Sequence, residues 1–191
     1  GDGGVRHILN IYKKYLDKGN DLRWRVEHSQ IVDPSDINTY GEYNIIPSIQ
    51  STHCTSDMFW AVERLGEERV RYAYAYNDLL RQNNWLINGT DFPIEYINPI
   101  YTFYSAVARK DLKGQPVNGF QIENALSREN ALKSMTIWAA KGSFDEDKRG
   151  SIEVGKHADF IILSEDIMTI EEENIPDVKV ESLVIFGEII Y

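Results

Sequence analysis

The chain has a single cysteine, Cys54, and does not begin with methionine. A lone thiol excludes an intrachain disulfide framework and a cysteine-based zinc knuckle, so any metal has to rest on histidine and carboxylate. No apolar run approaches the roughly 20 residues that span a bilayer, and no signal-peptide pattern precedes the first helix-like segment. A membrane is therefore not an expected partner. Positive charge is also scarce: 20 Lys and Arg stand against 30 Asp and Glu, a formal net charge of -10. That balance opposes binding to phosphate backbones, whose affinity comes from clustered cations, and nucleic acid is not expected as a partner either. Gly-x-Gly-x-x-Gly and Walker patterns, internal repeats and low-complexity segments are all missing. The opening Gly1-Asp2-Gly3-Gly4 reads as the cut edge of a longer polypeptide, which leaves the compartment open.

What is present is the composition of a globular protein, with 42% hydrophobic and 26% charged residues over 191 positions. That length suits one good-sized domain, or one domain with a small appendage. Val5, Ile8, Leu9, Tyr12 and Leu16 recur at helical spacing and Gly19 stops the run, with His7 off the stripe on the surface. Arg23 to His28 alternates in period two, placing Trp24, Val26 and His28 on one face of a strand. Asp33-Pro34 opens a helix. Ile45 to Gln50 reads as a second strand, followed at once by Ser51-Thr52-His53. Ser56 is then a candidate helix cap, and Asn77 another. Trp85 to Ile87 reads as a third strand that runs into Asn88-Gly89-Thr90-Asp91-Phe92-Pro93.

Helical spacing returns at Ile100, Phe103, Tyr104 and Val107, and again after Ser127 through Trp138 to Gly142. From Gly150 the texture changes to strands linked by turns, at Ile152, Ala158 to Leu163 and Leu183 to Ile190, with the acidic run Glu165 to Asp177 read as a solvated loop. Strands alternating with helices imply parallel pairing with right-handed crossovers.

Three successive strands each end in a residue able to bind a metal or move a proton: His28, His53 and Asp91. Neighbouring parallel strands place their C-terminal ends on one rim, so the three can converge, and imidazole with carboxylate is the donor set zinc takes when no thiolate is offered. Each residue also has a plain structural reading. Gly-x-Asp-x-Pro is ordinary turn composition, and a histidine at a strand end is commonly a hydrogen-bonded structural residue.

Four stretches carry a resemblance to a known family. Arg25-Val26-Glu27-His28, Ser48-Ile49-Gln50 with His53, Gly89-Thr90-Asp91-Phe92-Pro93, and Gly150-Ser151-Ile152-Glu153-Val154-Gly155-Lys156-His157-Ala158-Asp159-Phe160-Ile161-Ile162-Leu163 together resemble the C-terminal portion of the amidohydrolase superfamily, in the branch of the N-substituted formamide deformylase-like hydrolases. The resemblance runs over essentially the whole chain. It implies an α/β fold: residues 1-148 as the last three strands and helices of a TIM-like (β/α) barrel, and residues 149-191 as strands of a small composite β-sandwich.

It further implies that His28 and Asp91 are metal ligands, that Asp91 takes a proton from water as general base, and that His53 faces the substrate. The implied cofactor is a divalent metal, zinc first. The implied reaction is hydrolysis of the C–N bond of a small amide-like substrate, since zinc lowers the pKa of water to about 7. In this scheme Arg25 and Glu27 point away from the mouth or support its ligands; their plain structural reading, which is preferred, is a charged strand face, salt-bridged and covered by helices. If Gly1-Asp2 matches the Gly-Asp pair that follows the fifth-strand histidine of relatives, that histidine and the other N-terminal ligands belong to the missing part of the same polypeptide. The chain alone is then expected to bind metal poorly and to be inactive. Its exposed edges would favour self-association. The competing reading is non-catalytic, a half-barrel kept as a structural or self-association module.

Overall fold

A computed structural model describes all residues, Gly1–Tyr191. Its first half alternates helix and strand, as the periodicities require. Helix α1 (Asp2–Tyr12) leads to β1 (Arg25–Val26), α2 (Pro34–Glu42), β2 (Ile46–Ile49), α3 (Thr52–Val70), α4 (Tyr76–Asn83) and β3 (Ile87–Asn88). The three strands form one parallel sheet in the order β1-β2-β3, with Arg25 opposite Ile46 and Ser48 opposite Ile87. All four residues of β2 are buried, as expected of a central parallel strand. Helices α1 and α2 close over β1 through a core of Val5, Leu9, Val26, Tyr40 and Ile45. A larger core joins Ile49 and Leu86 to Phe103 and Tyr104 of α5 (Pro99–Ala108).

The strands are shorter than their sequence patterns. The period-two run from Arg23 contributes only Arg25 and Val26 to the ladder, and His28 lies two residues beyond, in the left-handed region at φ 52°. Asp33 caps α2 by accepting the Ser35 N–H, with Pro34 in the first turn. Ser56 is no cap: α3 begins at Thr52, so His53 stands in its first turn, because the chain turns helical directly at the end of β2. Asn77 is likewise inside α4, whose N-cap position is Ala75. Helix α3 breaks its course at Gly66, whose φ of 78° suits a residue without a Cβ.

After α5, the helical stretch capped by Ser127 divides at Thr136 into α6 (Arg128–Met135) and α7 (Ile137–Gly142). Both pieces lie against β3. A second, antiparallel sheet of β4 (Phe160–Leu163), β5 (Val180–Ile185) and β6 (Glu188–Ile189) closes the chain and pairs with no strand of the first. Ile152 is not in a strand but on an exposed irregular segment. The acidic run is not simply a solvated loop: Glu172–Asp177 forms 3-10 turns against α5 with Ile175 fully buried, and Glu172 pairs with Lys110 at 2.7 Å. Gly150, at φ 94°, joins the two parts where a Cβ would meet that of Ala140 at 2.8 Å. No helix is long and apolar enough to cross a membrane.

Candidate metal centre

The C-terminal ends of the parallel strands are tied together before any ionisable group is considered. Asn88, the last residue of β3, accepts the Ser51 N–H through Oδ1 and donates from Nδ2 to Ser51 Oγ, whose hydroxyl donates in turn to the Thr102 carbonyl. The Gly89 N–H donates to the Ile49 carbonyl. This latch fixes where β2 passes into α3 and where β3 passes into the Asp91 loop. Asp91 itself takes up a left-handed backbone, φ 58°, and its carbonyl receives the N–H groups of Ile94 and Glu95.

On this rim His28, His53 and Asp91 come together, each offering one donor atom, all within 4.8 Å of one another. His53 Nε2 is 2.8 Å from Asp91 Oδ2, and His28 Nε2 is 3.8 Å from Asp91 Oδ1. The environments differ. The His53 side chain is 11% exposed, Asp91 26% and His28 47%. Two donors on one zinc ion, each about 2.0–2.2 Å from it, stand at most about 4.3 Å apart. The His28 and Asp91 pair meets that limit, and the donor set of imidazole nitrogen and carboxylate oxygen is chemically suited to a divalent ion.

Around the cluster the remaining groups are quieter. Cys54, next to His53, is buried, and desolvation pushes its thiol up to about 11, so it stays a neutral thiol at neutral pH. Tyr74 donates to Asp57 Oδ2 at 2.7 Å, and burial followed by that hydrogen bond raises its phenol well above the ordinary range. Arg25 pairs with Glu27 at 2.5 Å and donates to the Gly142 carbonyl, while Glu27 also accepts from Ser48 Oγ. The charged pair is thus salt-bridged and reaches the end of α7 through the Gly142 carbonyl, while both side chains remain partly open to solvent. His7 is exposed, and His157 packs its ring on Phe186 far along the chain in the second part.

One participant went unread in the sequence. Glu95, four residues after Asp91, places Oε1 at 3.3 Å from His53 Nδ1. Its signal was the i, i+4 spacing from Asp91 inside a single turn, which the extended look of Phe92-Pro93-Ile94 obscures. A groove of about 780 Å³ lies elsewhere, between α5, α6 and β4, with Ile100, Phe103, Leu132, Met135 and Phe160 on its walls. It contains none of the converging donors.

An α/β sheet with imidazole and carboxylate donors at adjacent strand ends defines a class, and comparison with known proteins supplies the family. The model of the amidohydrolase family matches residues 1–191, and the chain belongs to that family. It is 30% identical over 191 residues to the YtcJ protein of Bacillus subtilis (strain 168), covering 100% of this chain and 36% of that one. It is 32% identical over 78 residues to the N-substituted formamide deformylase of Arthrobacter pascens, covering 41% of this chain and 14% of the deformylase. Among solved structures, an uncharacterized metal-dependent hydrolase from Pyrococcus horikoshii OT3 superposes with a TM-score of 0.75 at 30% identity, over 90% of this chain and 34% of that one. The chain therefore spans about a third or less of the length of these relatives.

Proposed function

We propose that these 191 residues are the C-terminal part of a metal-dependent hydrolase that cleaves C–N bonds of small amide-like substrates, working together with further strands of the same polypeptide. The observation that carries this reading is the convergence of His28, His53 and Asp91 at the ends of three adjacent parallel strands. The parallel sheet is then read as an arc of a (β/α) barrel, and the antiparallel sheet as part of a β-sandwich completed from elsewhere in the polypeptide. The similarity to a formamide deformylase and to a metal-dependent hydrolase favours the same chemistry.

His28 Nε2 and Asp91 Oδ1 would hold the divalent ion, zinc in the first instance. When bound, such an ion acidifies water and polarises a carbonyl oxygen. Asp91 then acts as general base: a carboxylate oxygen accepts the proton as water adds to the carbonyl carbon, and delivers it to the nitrogen as the C–N bond breaks. His53, with Nε2 on the Asp91 carboxylate, faces the substrate and keeps that carboxylate turned toward His28. The non-catalytic alternative, a self-associating module, draws on the exposed Ile161, Ile162 and Ile189 of the antiparallel sheet.

Metal analysis and hydrolysis assays on the longer polypeptide separate the two. Stoichiometric zinc with N-acyl amine hydrolysis, and a loss of about 10²–10⁴-fold in kcat for Asp91→Ala, are expected. Equal zinc content and equal rates in the variant would sink the proposal, as would enzyme-like turnover by the 191-residue chain alone.

A further inference from the structure

One buried polar side chain on the rim has no use inside the chain. Gln50 is the residue immediately after β2, the central strand of the parallel sheet, and is only 6% exposed. Its backbone carbonyl is well served, accepting the His53 N–H at 3.1 Å and the Tyr76 hydroxyl at 3.3 Å. Its carboxamide is not. Oε1 is enclosed with no donor against it, and Nε2, which donates to no protein group, is the end that keeps contact with the surface. Strand alternation says which surface that is. Ile49 belongs to the core that contains Tyr76 of α4 and Phe103 of α5, so Ser48 and Gln50 on either side of it belong to the opposite face. Ser48 bears this out by donating to Glu27, whose pair with Arg25 is partly open to solvent. Along the ladder, Ile49 lies opposite Asn88, which puts Gln50 level with Gly89, two residues before Asp91. His28 stands past the end of β1, on the other side of β2.

We propose that Gln50 is a catalytic residue whose Nε2–H donates to the oxygen of the scissile carbonyl. This rests on the reading of His28, His53 and Asp91 as the hydrolytic site. A position this buried is filled without penalty by leucine or methionine, whereas a carboxamide with a sealed, unanswered oxygen costs stability. Thr52 Oγ1, two residues on, is left in the same state, so the junction of β2 and α3 is not built for stability alone. The free end of the carboxamide suits the reaction. As water adds to the carbonyl carbon, the C=O π pair moves onto oxygen and leaves it negative, and Nε2–H meets that charge without giving up its proton. When the C–N bond breaks, the pair on oxygen returns to re-form C=O, the bonding pair leaves with nitrogen, and the proton for nitrogen comes from Asp91. A neutral donor also fits a rim that carries the carboxylates of Asp91 and Glu95, because a lysine or arginine in its place would pair with one of them instead.

Two measurements separate this role from a structural one. In the 191-residue chain, Gln50→Met removes the orphaned oxygen at nearly constant volume, and its urea midpoint should rise above that of wild type. A lower midpoint would mean that the carboxamide holds the fold, and would overturn the proposal. In the longer polypeptide loaded with zinc, the same substitution should lower kcat for N-acyl amine hydrolysis by about 10²–10³-fold with zinc content unchanged. Gln50→Glu keeps the shape and loses the donor, so it should be no more active than Gln50→Met. A phosphonate analogue of the same substrate, tetrahedral and anionic where the carbonyl stood, should lose affinity for both variants by the factor that kcat/KM loses. Wild-type rates in either variant at equal zinc content would overturn the role of Gln50 and leave the hydrolytic reading standing. A zinc-loaded wild-type polypeptide that hydrolyses no N-acyl amine would refute that reading, and the role of Gln50 with it.

Discussion

The two sheets solve opposite problems, the parallel one with eight strand residues and the antiparallel one with twelve. The parallel sheet contributes two, four and two residues to its ladders, yet it carries every converging donor in the molecule. The antiparallel sheet has a longer strand, β5 with six residues, and presents exposed isoleucines at 161, 162, 185 and 189 with no metal-ligating group of three. Strand length therefore does not locate the converging donors. Side chains at strand ends do so when the turns after them are fixed, as Asn88 and Ser51 fix the rim of the parallel sheet. The ends of the antiparallel sheet are also tied, with the Phe186 N–H donating to Asp159 Oδ1 and the Lys179 N–H to Ser164 Oγ, but no three donors converge there.

Three substitutions test that contrast. Asn88→Ala should be the most damaging to the fold, because it strands the buried Ser51 N–H and removes the partner of Ser51 Oγ; a loss of about 2–4 kcal/mol is expected in urea unfolding. A midpoint within error of wild type would show that the latch is incidental. Gly150→Ala comes next. Its methyl would meet Ala140 Cβ at 2.8 Å and the Ile137 Cα at 2.9 Å in a backbone conformation unfavourable to a side chain, and about 1–3 kcal/mol should be lost. If that loss appeared as a separate early transition for the tail, the two parts would be distinct cooperative units. Ile189→Lys should matter least for stability, within about 0.5 kcal/mol, since the side chain is 78% exposed. It should instead reduce any self-association seen by analytical ultracentrifugation.

The sequence showed the rim because its signals are local: apolar runs that stop at a histidine or at Gly-x-Asp-x-Pro. It also showed the cap at Asp33, where one side chain meets its own helix. What it hid depends on partners distant along the chain. Ser56 looks like a cap until Glu95 is seen to occupy its hydroxyl, and the acidic run looks solvated until Ile175 is seen under α5. The break at Thr136 follows from packing both α6 and α7 on β3, and no residue between Ser127 and Gly142 announces it. Glu95 was invisible for the same reason, since its contact exists only across from His53. The family resemblance was legible because its four motifs are contiguous segments, each read without knowing the others' positions.

The left-handed backbones of His28 and Asp91, at φ 52° and 58°, have a consequence for how this chain can change. Histidine and aspartate tolerate that region better than most residues, yet each is held there at a cost that glycine would not bear, on the order of 1 kcal/mol. Glycine at either position would thus relieve backbone strain while deleting a donor. Selection for robustness alone would erode this rim first, so the two side chains can serve as a gauge: a homologous chain that has put glycine at both has exchanged its chemistry for stability.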